Sequence, residues 1–355
     1  MRVLHAVNMS FPIAGIINQM TWEQLAARSL GLPWVSKIFG PDLGNDEIFQ
    51  RRPANGGGYL QVKLDYYRWL LRQMEYYDVL LLRYSPYDPF QLKFLKDLSK
   101  PAYLVCHTFE VSEVSIGRGL RPKVKGALER LIGPHAIRQA TGVIAVTPEI
   151  GAYELERSKT ENRGYYVYPN GIHYGDVIIR DSRLDDVPEL LFVASEFATW
   201  HGLDLLLEQL SRHPDVRFML HLVGKIPADL LRLATQDSRC VIHGVLNAEE
   251  IEDLSAHAWI GLASLAHFRL GMRQACTLKV REYLRSGLPA YANYEEVFDV
   301  ANPFYKNGPC DLLAIIDFAI ASRSVGRGLV SQRSRDSIEK RVLLDRLYHE
   351  IALNC

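Results

Sequence analysis

Short runs of Val, Leu and Ile alternate with longer amphipathic stretches along most of this chain, and that alternation admits few folds. Continuous apolar runs of about four to eight residues suit strands buried on both faces, as in a parallel sheet covered by helices. The first series reads as strands at 2–7, 78–84, 102–107, 142–147 and 165–168, with a helix over 15–30. A second series opens at 189–194 and continues at 217–223, 241–243 and 259–263, with helices at 203–210 and 278–285. Gly287 and Pro289 follow the last of these and give it an ordinary stop. The expectation is an α/β chain of two Rossmann-like doubly wound domains facing across a cleft, residues 1–174 and 175–330. Residues 331–355 read as a charged closing helix.

At 355 residues the chain is comfortable for two such cores. Lys plus Arg number 41 and Asp plus Glu also 41, so no global field draws it to nucleic acid, which is not an expected partner. Five scattered cysteines with no Cys-x-x-Cys pair argue against a disulfide framework and a zinc site. The opening residues carry no signal-peptide pattern, and no apolar run approaches the roughly 20 residues needed to span a bilayer. A cytoplasmic protein is expected.

The segment 278–284, Leu-Lys-Val-Arg-Glu-Tyr-Leu, carries the most chemistry. A carboxylate at Glu282 can accept two hydrogen bonds from adjacent hydroxyls, such as those of a ribose, while Lys279 and Arg281 can meet a diphosphate. A solvated amphipathic helix with a Lys–Glu pair fits the same residues.

Several segments in order make the reading more specific. LKVREYL is followed by Gly287-Leu288-Pro289, and preceded by 192–206 (FVASEFATWHGLDLL), 221–224 (HLVG), 241–244 (VIHG) and 258–269 (AWIGLASLAHFR). In the first half, 77–84 (YDVLLLRY), the loop 107–110 (HTFE) and 168–172 (YPNGI) fall in the same order. Together they resemble retaining glycosyltransferase family four in its polysaccharide-biosynthesis branch, over most of the chain.

That resemblance implies a GT-B architecture, with a glycan or polyprenyl-linked acceptor on the first domain and a nucleotide-diphosphate sugar on the second. It implies retention of configuration, no cofactor beyond the donor and no metal, in agreement with the absence of a metal-binding Asp-x-Asp motif. His107, Arg269 and Lys279 take the places at the reacting centre. Gly15, His201, Gln274, Lys279, Arg281 and Glu282 fall on the donor, and Arg83, Glu110 and Glu113 on the acceptor. The closing helix is implied to cross back to the first domain.

The chain also departs from the pattern. The family's Glu-x7-Glu signature ends on Glu282 but starts on Gln274, and its usual phosphate-binding cations fall near Glu196 and His201. Arg269, Arg273, Lys279 and Arg281 are the expected replacements. These departures keep open a different class, a non-catalytic glycosyltransferase-like binding subunit.

Residues 118–138 hold six cations against the single Glu129, with Leu120, Val124, Leu128, Leu131 and Ile132 at roughly helical spacing. Such a stretch suits transient contact with an anionic membrane surface, and a peripheral place at the inner membrane face. A helix packed on the first sheet, weakened by Pro122 and Gly126, is the competing reading.

Overall fold

A computed structural model describes residues 1–41, 47–52, 58–117, 119–175, 179–181, 185–298 and 300–353. The chain divides into two compact units, Met1–His173 with Lys340–Cys355, and Tyr174–Glu339.

The first unit is a parallel sheet of seven strands: β1 (Val3–Asn8), β2 (Trp34–Gly40), β3 (Phe49–Arg51), β4 (Val79–Arg83), β5 (Ala102–Cys106), β6 (Gly142–Ala145) and β7 (Tyr165–Val167). Their order in space is β3-β2-β1-β4-β5-β6-β7. The sheet is dressed by α1 (Ala14–Leu30), α2 (Tyr59–Gln73), α3 (Pro89–Asp97), α4 (Glu110–Val114), α5 (Leu120–Gln139) and α6 (Pro148–Ser158). Asp88 caps α3 through the Phe90 and Gln91 N–H groups, with Pro89 pre-set for the first turn. Thr147 and Pro148 do the same for α6.

The second unit repeats the plan. Strands β8 (Glu189–Glu196), β9 (Met219–Lys225), β10 (Cys240–Gly244) and β11 (Ile260–Leu262) lie in a sheet of six. A small pair, β12 (Gln274–Ala275) with β14 (Glu295–Glu296), stands apart, and β13 (Ala290–Ala292) and β15 (Tyr305–Asn307) complete the main sheet. Its order, β10-β9-β8-β11-β13-β15, gives the same doubly wound progression outward from the first strand. Helices α7 (Leu203–Arg212), α8 (Ala228–Ala234), α9 (Ala248–His257), α10 (Leu278–Arg285), α11 (Leu312–Ser322) and α12 (Arg327–Ile338) surround it. Phe192, Leu206, Leu220, Leu222, Ile260, Leu262 and Ile315 are fully buried in its core.

The C-terminal segment differs from the expected single helix. It breaks at Glu339, whose backbone is extended, into α12 in the second unit and α13 (Lys340–Ala352) in the first. The second unit therefore runs past 330. Leu343, Leu344, Leu347 and Ile351 of α13 fill a core with Val3, Ala27, Val79 and Val105. The Lys340 N–H donates to the Ile172 carbonyl at 2.9 Å, where the chain leaves the same unit.

Candidate functional site

Ligands of doubly wound sheets sit beyond the carboxyl ends of the strands, where the strand order reverses. In the second unit that point lies between β8 and β11. Helix α10 is fastened there by Tyr283, whose Oη accepts from the Val193 N–H at 3.1 Å and donates toward the Leu191 and Leu262 carbonyls. The close approach depends on Gly261, since a Cβ there would lie 2.4 Å from the Tyr283 ring. Gly287 ends the helix with φ of 81°, and a Cβ on it would meet Arg327 at 2.6 Å.

This anchoring brings Lys279 and Glu282 into one pocket of about 160 Å³, with Val193, Ser255 and Arg285 also on its wall. Burial pushes the Lys279 ammonium down to about 8, against the pull of Glu282. The Glu282 side chain is open to solvent, yet the surrounding wall raises its pKa, with Arg285 and Lys279 opposing. His201 closes the turn after β8. Its Nδ1 accepts from the Ala198 N–H at 2.9 Å, which leaves Nε2 as the protonated nitrogen of the neutral ring. Burial, then the charge of Lys279, pushes its pKa down to about 3.

Two cations expected at the donor are held elsewhere. Arg281 is fully buried: it pairs with Glu296 at 3.0 Å and donates to Cys276 Sγ at 2.8 Å and to the Val297 carbonyl at 3.2 Å. Helix periodicity turns it about 100° from Glu282 and about 200° from Lys279, so its assignment to a diphosphate is corrected to a structural one. Arg269 forms a two-pronged pair with Asp204 at 2.9 and 2.7 Å and donates to the Thr199 carbonyl at 2.7 Å. It ties β8's following turn to α7. Gln274 lies on β12 with its amide 3.5 Å from Glu295, and Arg273 is exposed beside it. Glu196 is exposed, 4.0 Å from Lys225.

In the first unit the acceptor candidates gather behind β4 and β5. Arg83 Nη1 donates to His107 Nε2 at 2.9 Å. Burial, and then Arg83, pushes His107 well below its usual range, so its ring is neutral with Nδ1 protonated. Glu110 is buried, and burial followed by the nearby Glu113 raises its pKa well above the carboxylate range. Both carboxyl groups act on Arg83, opposing the fall that burial imposes on it. Gly15 sits in the first turn of α1, and no side chain caps that helix.

Sequence reasoning missed the group beneath His107. His5 and Glu23 meet at 2.7 Å, and Glu23 also accepts from Ser36 at 2.7 Å, Trp34 Nε1 at 3.0 Å and Tyr168 at 2.9 Å. Burial pushes Glu23 up, but His5 and Lys340 outweigh it and hold it at about 2. His5, Glu23, Arg83, His107 and Lys340 line a cavity of about 20 Å³, room for a single water. A histidine inside an otherwise apolar strand run was the only local signal.

No family model and no curated protein matches this chain. Solved structures do. Sucrose-phosphate synthase from Thermosynechococcus elongatus is similar over 100% of both chains, with 13% identity and a TM-score of 0.71. The lipopolysaccharide outer core galactosyltransferase WaaB, in its apo form, is similar over 100% of both chains at 11% identity, with a TM-score of 0.66. The Anabaena protein HepE in complex with UDP and glucose covers 99% of each chain at 12% identity, with a TM-score of 0.66. At such low identity these likenesses establish the fold: two Rossmann-like domains of the GT-B class.

Proposed function

We propose that this protein is a glycosyltransferase that moves a sugar from a nucleotide-diphosphate sugar to a glycan or lipid-linked acceptor. The transfer retains anomeric configuration, needs no metal, and serves the building of a cell-surface polysaccharide. The observation that carries this reading is the meeting of Lys279 and Glu282 in one pocket at the switch point of the second sheet. Glu282 is suited to the two hydroxyls of a ribose. Lys279 and the His201 Nε2–H are suited to phosphate oxygens; within the first unit, the uncapped first turn of α1 at Gly15 offers backbone N–H groups of the same use.

In the reaction the bond between the anomeric carbon and the phosphate oxygen breaks. The acceptor oxygen bonds to the same face of that carbon, and its proton passes to the departing phosphate. Negative charge grows on the diphosphate, so fixed donors such as Lys279 lower the barrier. On the acceptor side the neutral His107 offers Nδ1–H, with Arg83, Glu110 and Glu113 around it. The UDP bound to the similar HepE makes a uridine nucleotide the first donor to try. The reading puts the chain in the cytoplasm, at the inner membrane face where a lipid-linked acceptor is available.

A second reading, a non-catalytic binding subunit, is favoured by the neutral Gln274 and by the engagement of Arg269 and Arg281 away from the pocket. One experiment separates them. The purified chain is screened by thermal shift against UDP, GDP, ADP, CMP and dTDP with and without EDTA, and then for donor hydrolysis. Stabilisation by one diphosphate, insensitive to EDTA, lost in Glu282→Ala and accompanied by turnover, is the expected result. Stabilisation without turnover supports the binding subunit. No shift with any nucleotide overturns the transfer and leaves a binding subunit whose ligand is a glycan or a partner.

A further inference from the structure

Helix α5 runs unbroken from Leu120 to Gln139, so Pro122 and Gly126 do not interrupt it; Arg118 lies outside the described residues. At about 100° of turn per residue, its side chains sort into an exposed apolar stripe and an opposed buried face, separated by charge. The outer face carries Leu120, Val124, Leu128 and Leu131, which are 75%, 47%, 40% and 66% exposed. Arg121 and Lys125 flank that stripe on one side, Lys123 and Arg130 on the other, and all four are exposed. The inner face carries Gly126, Glu129, Gly133, Ala136 and Ile137, all buried.

The inner face is keyed to its place. A Cβ on Gly126 would lie 2.1 Å from Ser115 Oγ, and one on Gly133 would lie 2.2 Å from Glu129 Oε1. Glu129 accepts from Tyr84 Oη at 2.6 Å, from Arg157 at 2.8 Å, and from the Tyr87 N–H. Tyr87 has φ of 44°, a strained conformation for a tyrosine, and Lys125 stands over its ring at 5.8 Å. The loop 84–88, next to Arg83, is thus held by the back of the same helix. The outer stripe is consequently not a misplaced core face; the core side of α5 is already occupied.

We propose that α5 seats on an anionic lipid surface through Leu120, Val124, Leu128 and Leu131, and so sets the loop 84–88 at the level of the lipid headgroups. This rests on the reading of unit one as the acceptor side, and specifies where a lipid-linked acceptor reaches it. Charge selects the occupant. A helix with cations on both flanks of an apolar stripe fits a bilayer, which offers acyl chains beneath a continuous anionic plane. The loop lies about one helix diameter, ~10 Å, from the plane of the stripe, so lipid contact and acceptor position are fixed together.

The test is flotation of the full chain with vesicles of phosphatidylglycerol and phosphatidylcholine, and with phosphatidylcholine alone. Binding to the anionic vesicles is expected, weakened by salt. Leu128→Glu with Leu131→Glu should reduce it about tenfold or more, and Lys123→Gln with Arg130→Gln should remove the preference for anionic lipid. All four altered positions face solvent, and unchanged thermal shift with nucleotide reports a sound second unit. Protein that stays in solution with both vesicles, or flotation unaffected by the two glutamates, overturns the proposal. So does a dimer in size-exclusion chromatography that the glutamates dissolve, which would give the stripe to a second copy. Flotation without any nucleotide shift leaves this inference standing while the proposed transfer fails.

Discussion

Arg281 and Glu296 meet at 3.0 Å with neither side chain reaching solvent, one on α10 and the other on β14. Removing one member of such a pair leaves an uncompensated buried charge, at a cost of about 3–5 kcal/mol. Arg281→Ala is therefore expected to lower the melting temperature sharply, and Arg281→Met, which keeps the stem, to lower it nearly as far. Equal melting of wild type and Arg281→Ala in a thermal scan would return Arg281 to the list of ligand groups.

Lys279 sits one turn from Glu282 with its pKa lowered to about 8, beneath the 10.5 of the free side chain. The folded protein thus disfavours its charge, and stability from this group rises as pH climbs from 8 toward 10.5. Lys279→Met should stabilise the unliganded fold at neutral pH by on the order of 1 kcal/mol, yet abolish diphosphate binding. In the wild type, nucleotide affinity should fall as pH rises through 8. Calorimetric titration across pH 7–9.5, roughly centred on that pKa, checks the sign.

Glu23 has the opposite signature. Its pKa of about 2, below the 4.5 of a free glutamate, adds stability that is complete above 4.5 and lost as pH falls toward 2. That difference corresponds to about 3 kcal/mol. Glu23→Gln is expected to be less stable at pH 7 and to show a flatter acid limb in denaturant titrations. An acid limb identical to wild type would place the charge elsewhere.

Gly261 gives a test of how α10 is held. Gly261→Ala drives a methyl into the Tyr283 ring, an overpacking that costs about 1–3 kcal/mol. Because Tyr283 follows Glu282, the shift should reach the pocket: nucleotide affinity should drop further than the loss of stability accounts for. Tyr283→Phe, which keeps the ring but loses its bonds to Val193 and Leu262, should give a milder form of the same defect.

The two doubly wound series were legible because strands such as β4 and β5 are apolar on both faces, which leaves an unambiguous run. Strand β2 was harder: Ser36 and Lys37 interrupt it, and Ser36 is tolerated inside only because it bonds Glu23 and Gln24. The placing of Lys279 and Glu282 on one wall follows from their three-residue spacing on a helix. Arg281 was misread because it stands between Lys279 and Glu282 in a charged run, while its burial depends on Glu296 and Ser337, remote partners that local patterns do not carry. The His5–Glu23 pair hid for the same reason, each partner unremarkable alone and 18 positions apart.

The return of α13 to the first unit has a temporal meaning. A chain emerging from the ribosome can close the sheet of residues 174–339 as soon as Glu339 is free, but the earlier sheet still lacks Leu343, Leu344, Leu347 and Ile351. The half made first is finished last. Until then its α1 face is bare and sticky, an opening for chaperones. A stop codon at 340 would spare the unit that spans 174–339 and leave the one made before it as the aggregating part.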